Sequence, residues 1–236
     1  LEFRRVLFRS LDFRNNTYIA GGGTAVSVGI LNTSTDGITW ILRTSGFGTN
    51  VIYALTYGNN TYVAGGYSGR LTISTDAITW TKRSPLTTTA YSSGGTFNGQ
   101  YVSDALYGVA YGTTTAYPSG LWLVAGGSGS TLYSTSGTDF RTGVKTSALY
   151  QANFIYRVRY FAGRFWLFGN NGYLAWTIDG EDIWQINSGH LVQQVNDGAS
   201  DGTLLMSCAS NGQLTFNHTQ PGAASNDYNT WAHSQN

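Results

Sequence analysis

The chain is poor in several things, and each shortage excludes something. Cys208 is its one cysteine, so no disulfide can close within the chain and no cysteine-rich metal site can be built. Such a lone thiol reads as a small buried apolar residue. Charged residues make up 11% of the chain, lysine occurs only at Lys82 and Lys145, and the formal net charge is +1. No basic surface is left for nucleic-acid phosphates or an anionic membrane, so nucleic acid is not an expected partner. No apolar run approaches the roughly eighteen residues that a membrane-spanning helix needs, and no membrane span is expected. Nothing reads as a cleavable signal peptide. His190, His218 and His233 lack ligand spacing, and no glycine-rich phosphate motif or nucleophile elbow occurs, so neither a metal nor a cofactor is expected.

What is abundant points one way. The 236 residues are 41% hydrophobic and 14% aromatic, enough for one sizeable core. Thirty-one glycines stand with many Thr, Ser and Asn but only 3 prolines. Glycine supplies positive φ at no steric cost, so this composition suits short strands joined by tight turns and predicts an all-β chain.

The first ten residues break with the rest. Leu1–Ser10 (LEFRRVLFRS) is rich in arginine and resembles a translated sequencing-adapter read-through, so residues 1–10 are set apart as a non-native leader. Residues 11–236 are taken as the folded domain. Met206 is the only methionine, which predicts that the natural chain starts earlier. The abrupt end at His233–Asn236 predicts the same of its C-terminus.

An internal period organises the domain. The segment Asn59–Arg83 (NNTYVAGGYSGRLTISTDAITWTKR) echoes Asn15–Arg43, where NNTYIAGGG leads to GILNTSTDGITWILR. Looser copies run over Gly120–Arg141 and Gly163–Trp184, and a degenerate one runs from Gly202–Phe216 to Ser225–Trp231. Closing aromatics fall at Trp40, Trp80, Phe140, Trp184 and Trp231, spaced roughly forty to sixty residues apart, as propeller blades are. Within one copy, Ile52–Tyr57 reads as an inner strand with Tyr53, Leu55 and Tyr57 on one face. Asn60–Ala64, Arg70–Ser74 and a run from Thr79 follow it. Each copy is therefore expected to be a four-stranded antiparallel sheet, and a sheet of that size buries both faces only by stacking on neighbours. The prediction is a β-propeller with about five blades visible, fitting a piece of a six- or seven-bladed ring. The glycine pairs at 21–22, 65–66 and 126–127 are expected to mark the turn after the second strand. An insertion over Pro85–Asp104 is expected to form a loop on one face.

Two copies share a motif at one register: Ser34-Thr35-Asp36-Gly37-Ile38-Thr39-Trp40 and Ser74-Thr75-Asp76-Ala77-Ile78-Thr79-Trp80. This resembles the Asp-box, or bacterial neuraminidase repeat, whose propellers include sialidases, xyloglucan-cleaving enzymes and photosystem II assembly factors. The resemblance spans about residues 12–231. Three departures stand out: Ala77 replaces glycine, Ser134–Phe140 lacks the aspartate, and Thr177 replaces serine ahead of Asp179. The box is read as structural, with Ser34, Asp36, Gly37, Thr39, Trp40, Ser74, Asp76, Thr79, Trp80, Asp179 and Trp184 in that role. Its aspartate can accept backbone N–H bonds as an Asx-turn does, and its tryptophan can bury a ring between blades.

Function follows less directly. The main expectation is a non-catalytic binding or structural propeller, outside a cell or on a virus particle, recognising a glycan or a protein surface. It rests on abundant Thr, Ser, Asn and Tyr with sparse charge, a combination that suits polar recognition. Candidate contacts are Tyr67, Arg70, Asn170 and Asn171 in loops after second strands, the 85–104 insertion, and Arg157 and Arg159 alternating on a predicted inner strand. For the two inner-strand arginines, a role bonding carbonyls or packing on Tyr156 and Tyr160 is the leading reading, ahead of ligand binding. A sialidase-like glycoside hydrolase is the alternative. It needs converging arginines, a tyrosine with a glutamate partner, and an acid, whereas Glu181, the only glutamate after the leader, sits in a box-like turn. A chaperone like the photosystem II assembly factors is a third reading and needs an arginine patch, for which Arg157, Arg159 and Arg164 are the candidates.

Overall fold

A computed structural model describes residues 6–24, 28–83, 104–142, 154–181, 183–185, 194–201, 204–210, 212, 214–218 and 232–234. The 85–104 insertion, Asp104 apart, and the closing Trp231 lie outside them. Among the described residues, twenty strands form five four-stranded antiparallel sheets, each a meander in chain order. Blade 1 holds β1 (Val6–Arg14), β2 (Thr17–Thr24), β3 (Gly29–Ser34) and β4 (Ile41–Leu42). Blade 2 holds β5 (Ile52–Gly58), β6 (Thr61–Gly66), β7 (Leu71–Ser74) and β8 (Thr81–Arg83). Blade 3 holds β9 (Leu106–Gly112), β10 (Leu121–Gly126), β11 (Thr131–Ser134) and β12 (Arg141–Thr142). Blade 4 holds β13 (Ile155–Phe161), β14 (Arg164–Gly169), β15 (Leu174–Thr177) and β16 (Trp184–Gln185). Blade 5 holds β17 (Val195–Ser200), β18 (Leu204–Ala209), β19 (Leu214–His218) and β20 (Ala232–Ser234). The first strand of each blade contacts the first strand of the next, so β1, β5, β9, β13 and β17 line the axis. This is a β-propeller.

Each pair of neighbouring blades encloses its own core. Ile19 and Leu31 of blade 1 meet Ile52, Leu55 and Tyr62 of blade 2. Val63, Leu71 and Ile73 meet Leu106, Trp122 and Leu132 between blades 2 and 3. Strand β10 shows why the second strands read as unbroken apolar runs. Leu121, Leu123 and Ala125 enter the core shared with blade 4, while Trp122 and Val124 enter the one shared with blade 2. A strand buried on both faces has no polar side to display.

Of the segment set apart as a leader, residues 1–5 lie outside the described residues, while Val6–Ser10 belong to β1 and pair with β2 from Thr24 to Gly21. The Ser10 hydroxyl also accepts from Leu55 N at 2.9 Å. The free edge of β2 needs backbone partners, and this segment supplies them whatever its side chains. The paired glycines do not all mark the turn: Gly21 and Gly22 lie within β2, Gly65 and Gly66 end β6, and only at Gly126–Gly127 does the pair pass from strand into turn.

Candidate functional site

The connections divide between two ends of the propeller. One end carries the turns between third and fourth strands, where the repeated motif lies. In blade 1, Asp36 Oδ1 accepts N–H bonds from Ile38 at 2.8 Å and Thr39 at 2.7 Å, and takes the Ser34 hydroxyl at 2.8 Å. Asp76 repeats this with Ile78, Thr79 and Ser74. The Thr39 and Ile38 amides, then Ser34, hold the Asp36 carboxyl down at about 2, and Thr79 and Ile78 do the same to Asp76. In blade 3 the missing carboxylate is replaced by the Ser136 hydroxyl, which accepts from Thr138 N and Asp139 N at 3.1 Å each. In blade 4, Thr177 does the work of serine, its hydroxyl bonding Asp179 Oδ1 at 3.0 Å and accepting from Gly180 N at 2.9 Å.

The closing aromatic packs against the preceding blade. Trp80 joins the core with Ile19 and Leu31 of blade 1, its Nε1 donating to Ala77 O at 3.2 Å. Phe140 joins the core of blades 2 and 3. Trp40 does not lie between blades: it is 37% exposed, because blade 1 has no preceding blade among the described residues. Trp184 does not close its box either. It opens β16, opposite Trp176, and the buried Ile183 takes the closing position beside the core of blades 3 and 4. Counting six residues on from Thr177, as from Ser34 to Trp40, gives Ile183. Glu181 accepts a hydrogen bond from the Tyr133 hydroxyl, and burial together with that bond pushes the phenol up to about 12.

The other end carries the turns between second and third strands and the starts of the inner strands. Tyr67–Gly69 is one such turn, tied by Arg70 N to Tyr67 O at 3.3 Å, with Tyr67 52% exposed. Its equivalent in blade 4 holds Asn170 and Asn171, and Asn170 Oδ1 there accepts from Phe154 N at 2.8 Å. Arg157 and Arg159 do share a face of β13, as their spacing predicts. They meet neither carbonyls nor tyrosines but Asp197 of β17: Arg159 binds it at 2.9 Å and 2.6 Å, and Arg157 Nε lies 3.8 Å away. Burial alone would raise the Asp197 carboxyl, but the Arg159 bonds and charge outweigh it and hold it below its ordinary value. Arg159 and Asp197 line an open recess with Phe161, Met206 and Cys208. The candidates therefore form two separate groups, loop residues at the end and arginines along the axis.

One feature of this end was not visible to pattern reading. Every inner strand carries a register shift near its start, leaving Arg9, Tyr53, Tyr107, Tyr156 and Asn196 unpaired between ladder residues. The period-two face expected for Tyr53, Leu55 and Tyr57 is thus broken at Tyr53: Ile52 enters the core with blade 1 and Ala54 the core with blade 3. Bulges re-aim side chains in this way. They also explain the glycines at the ends of the second strands. A Cβ on Gly66 would stand 2.2 Å from Val51 O, and one on Gly126 would stand 2.0 Å from Ala105 O. Those carbonyls accept the next amide, Tyr67 N and Gly127 N, at 2.9 and 2.8 Å. The sequence signal was the recurring Ile/Leu-Tyr pair at 52–53, 106–107 and 155–156.

No family model matches the chain, and no curated protein matches it in sequence. Solved structures do match in shape. YCF48 bound to D1 peptide superposes with a TM-score of 0.61 at 15% identity, over 99% of this chain and 68% of that one. YCF48 from Cyanidioschyzon merolae gives 0.59 at 15% identity, over 95% and 70%. An ancestral GH74 enzyme gives 0.56 at 10% identity, over 93% of this chain and 34% of that one. At such identities the likeness concerns the fold, and the chain is a β-propeller similar in architecture to both kinds of protein.

Proposed function

We propose that this is a non-catalytic binding propeller, built on Asp-box turns and displayed outside a cell or on a virus particle, whose inner-strand mouth recognises a macromolecular partner. The observation that carries it is the division of labour between the ends. Carboxylates a hydrolase would need are engaged structurally: Asp36, Asp76 and Asp179 in turns at the far end, Glu181 with Tyr133 at that same end, away from Arg157 and Arg159, and Asp197 in an ion pair with Arg159. The mouth instead gathers half-buried tyrosines and short turns with little charge, a surface suited to recognition. The likeness to YCF48 bound to D1 peptide favours a protein partner over a glycan, and the sparse charge separates this mouth from an arginine-rich one. The test is purified protein on parallel peptide and glycan arrays, with hydrolysis of sialosides and xyloglucan followed alongside. Saturable binding without turnover is the expected result. Turnover of either substrate, or no binding on any array, rejects the proposal.

A further inference from the structure

The bulged residues of three consecutive blades form a row. The Tyr53 and Tyr107 rings lie 4.8 Å apart by centroid, and Tyr107 and Tyr156 lie 5.6 Å apart. Phe154 closes a triangle with Tyr107 and Tyr156, 6.5 Å and 6.1 Å away, and is nearly parallel to Tyr156. The two tyrosine pairs are tilted by 45° and 53°, so neighbouring rings open as wedges instead of lying flat as a platform.

Tyr57, Tyr62, Tyr111, Tyr133 and Tyr160 each donate to a partner within the protein. Among the described residues, the hydroxyls of Tyr53, Tyr107 and Tyr156 have none, as is so of Tyr18, Tyr67 and Tyr117, but these three alone stand side by side, and all three side chains are half-buried. Burial, with Tyr53 and Tyr156 nearby, raises the Tyr107 phenol above its ordinary value. Charge beside the row is slight. Arg9 sits 5.3 Å over the Tyr53 ring at one end, and Asp104 takes the Ser130 hydroxyl at 3.1 Å.

Resting on the binding reading above, we infer that the Tyr53–Tyr107–Tyr156 row is a peptide site that takes an uncharged, proline-rich segment in the polyproline II conformation. Such a helix has no internal hydrogen bonds, so its carbonyls are free to accept from the three phenols. Its prolyl rings fill wedges between aromatic side chains, and its stiffness lowers the entropic cost of docking. Three residues of it make one turn and rise about 9 Å, so one prolyl face recurs on the scale of two successive ring spacings here. A sugar stacks best on an open ring face, and in this row tilted rings crowd one another at 4.8 and 5.6 Å. The row is supplied by inner strands, so it is held rigidly, as the bulge and its paired glycine require.

The test is fluorescence polarisation of a labelled oligoproline peptide with the full chain, against a glycine-serine peptide of equal length and a neutral cello-oligosaccharide. Oligoproline alone is expected to saturate. Tyr107→Phe, which keeps the ring, should weaken it about fivefold for one lost hydrogen bond, and Tyr107→Ala by about tenfold or more. Ile38→Ala, at the opposite end, should leave it unchanged, and circular dichroism checks that each variant is folded. Saturation by the cello-oligosaccharide alone overturns the inference, as does oligoproline binding that Tyr107→Ala does not weaken. If the arrays yield a partner but oligoproline does not bind, this assignment falls and the binding reading stands. If nothing binds in either experiment, both fall.

Discussion

Arg159 grips Asp197 across the gap between the fourth and fifth inner strands, Nη2 to Oδ2 at 2.6 Å and Nε to Oδ1 at 2.9 Å. The pair joins two blades at the axis, as Ser10 and Asp12 join β1 to β5 by accepting from Leu55 N and Tyr57 N. Its ends remain 49% and 31% exposed, so solvent screens it and its worth is small despite the bidentate geometry. A double-mutant cycle with Arg159→Gln and Asp197→Asn should give a coupling of about 1 kcal/mol in urea unfolding. It should shrink as salt is added. A coupling near zero at low salt would remove the pair from the account of how blades 4 and 5 dock.

The turn aspartates give stability a pH dependence. A carboxyl held at about 2 when folded, against an ordinary 3.8, binds its proton more readily in the unfolded chain. The stabilisation is therefore complete above the ordinary value and is lost as pH falls through the folded one. Thermal unfolding should drop steeply between pH 4 and pH 2, a window framed by those two values. The Asp36→Asn, Asp76→Asn double variant should start lower at neutral pH and show a shallower acid slope. An unchanged slope would refute the assignment.

Ala77 holds φ +62°, where the equivalent Gly37 has +72°. A left-handed alanine costs about 1–2 kcal/mol, and its buried methyl returns about 0.8 kcal/mol. Ala77→Gly should therefore raise stability by up to about 1 kcal/mol, read as the midpoint of urea unfolding. A lower midpoint would show that the methyl's packing beside Trp80 outweighs the strain.

Gly66 lies against the Val51 carbonyl, and Phe47 Cε1 would stand 2.6 Å from an added Cβ. Gly66→Ala must push the start of β5 away and should cost about 1–3 kcal/mol. It should also weaken whatever the mouth binds, because Tyr53 is aimed by that bulge. Wild-type stability in this variant would mean the close approach is not required.

The two closing tryptophans should respond differently to truncation. Trp80→Ala empties a core and should cost about 3–5 kcal/mol. Trp40, partly exposed, should cost well under half of that. Equal losses would mean that Trp40 packs as Trp80 does.

Periodicity made the fold legible. Repeated runs such as NNTYVAGG and STDAITW carry their strand, hairpin and turn chemistry locally. Asn59 and Asn60 at positive φ supply the hairpin, and Asp76 the outer turn. Local chemistry of this kind depends on neighbours in the chain, so it shows even at one copy. The tyrosine row was not legible, because alternation placed Tyr53 on the face of Leu55 and gave no hint of a bulge.

By itself, then, the sequence determined an all-β repeat, the number of visible copies, the turn that closes each sheet and the sparse charge at its surface. These depend on contacts within one repeat. The tertiary structure alone decided the particular meetings across repeats: Arg159 with Asp197, Ile183 in place of Trp184 beside the core of blades 3 and 4, and three tyrosines from separate blades in one row. Such meetings depend on how sheets stack around an axis and on one-residue bulges that reset the pleat. Spacing along the chain does not record either.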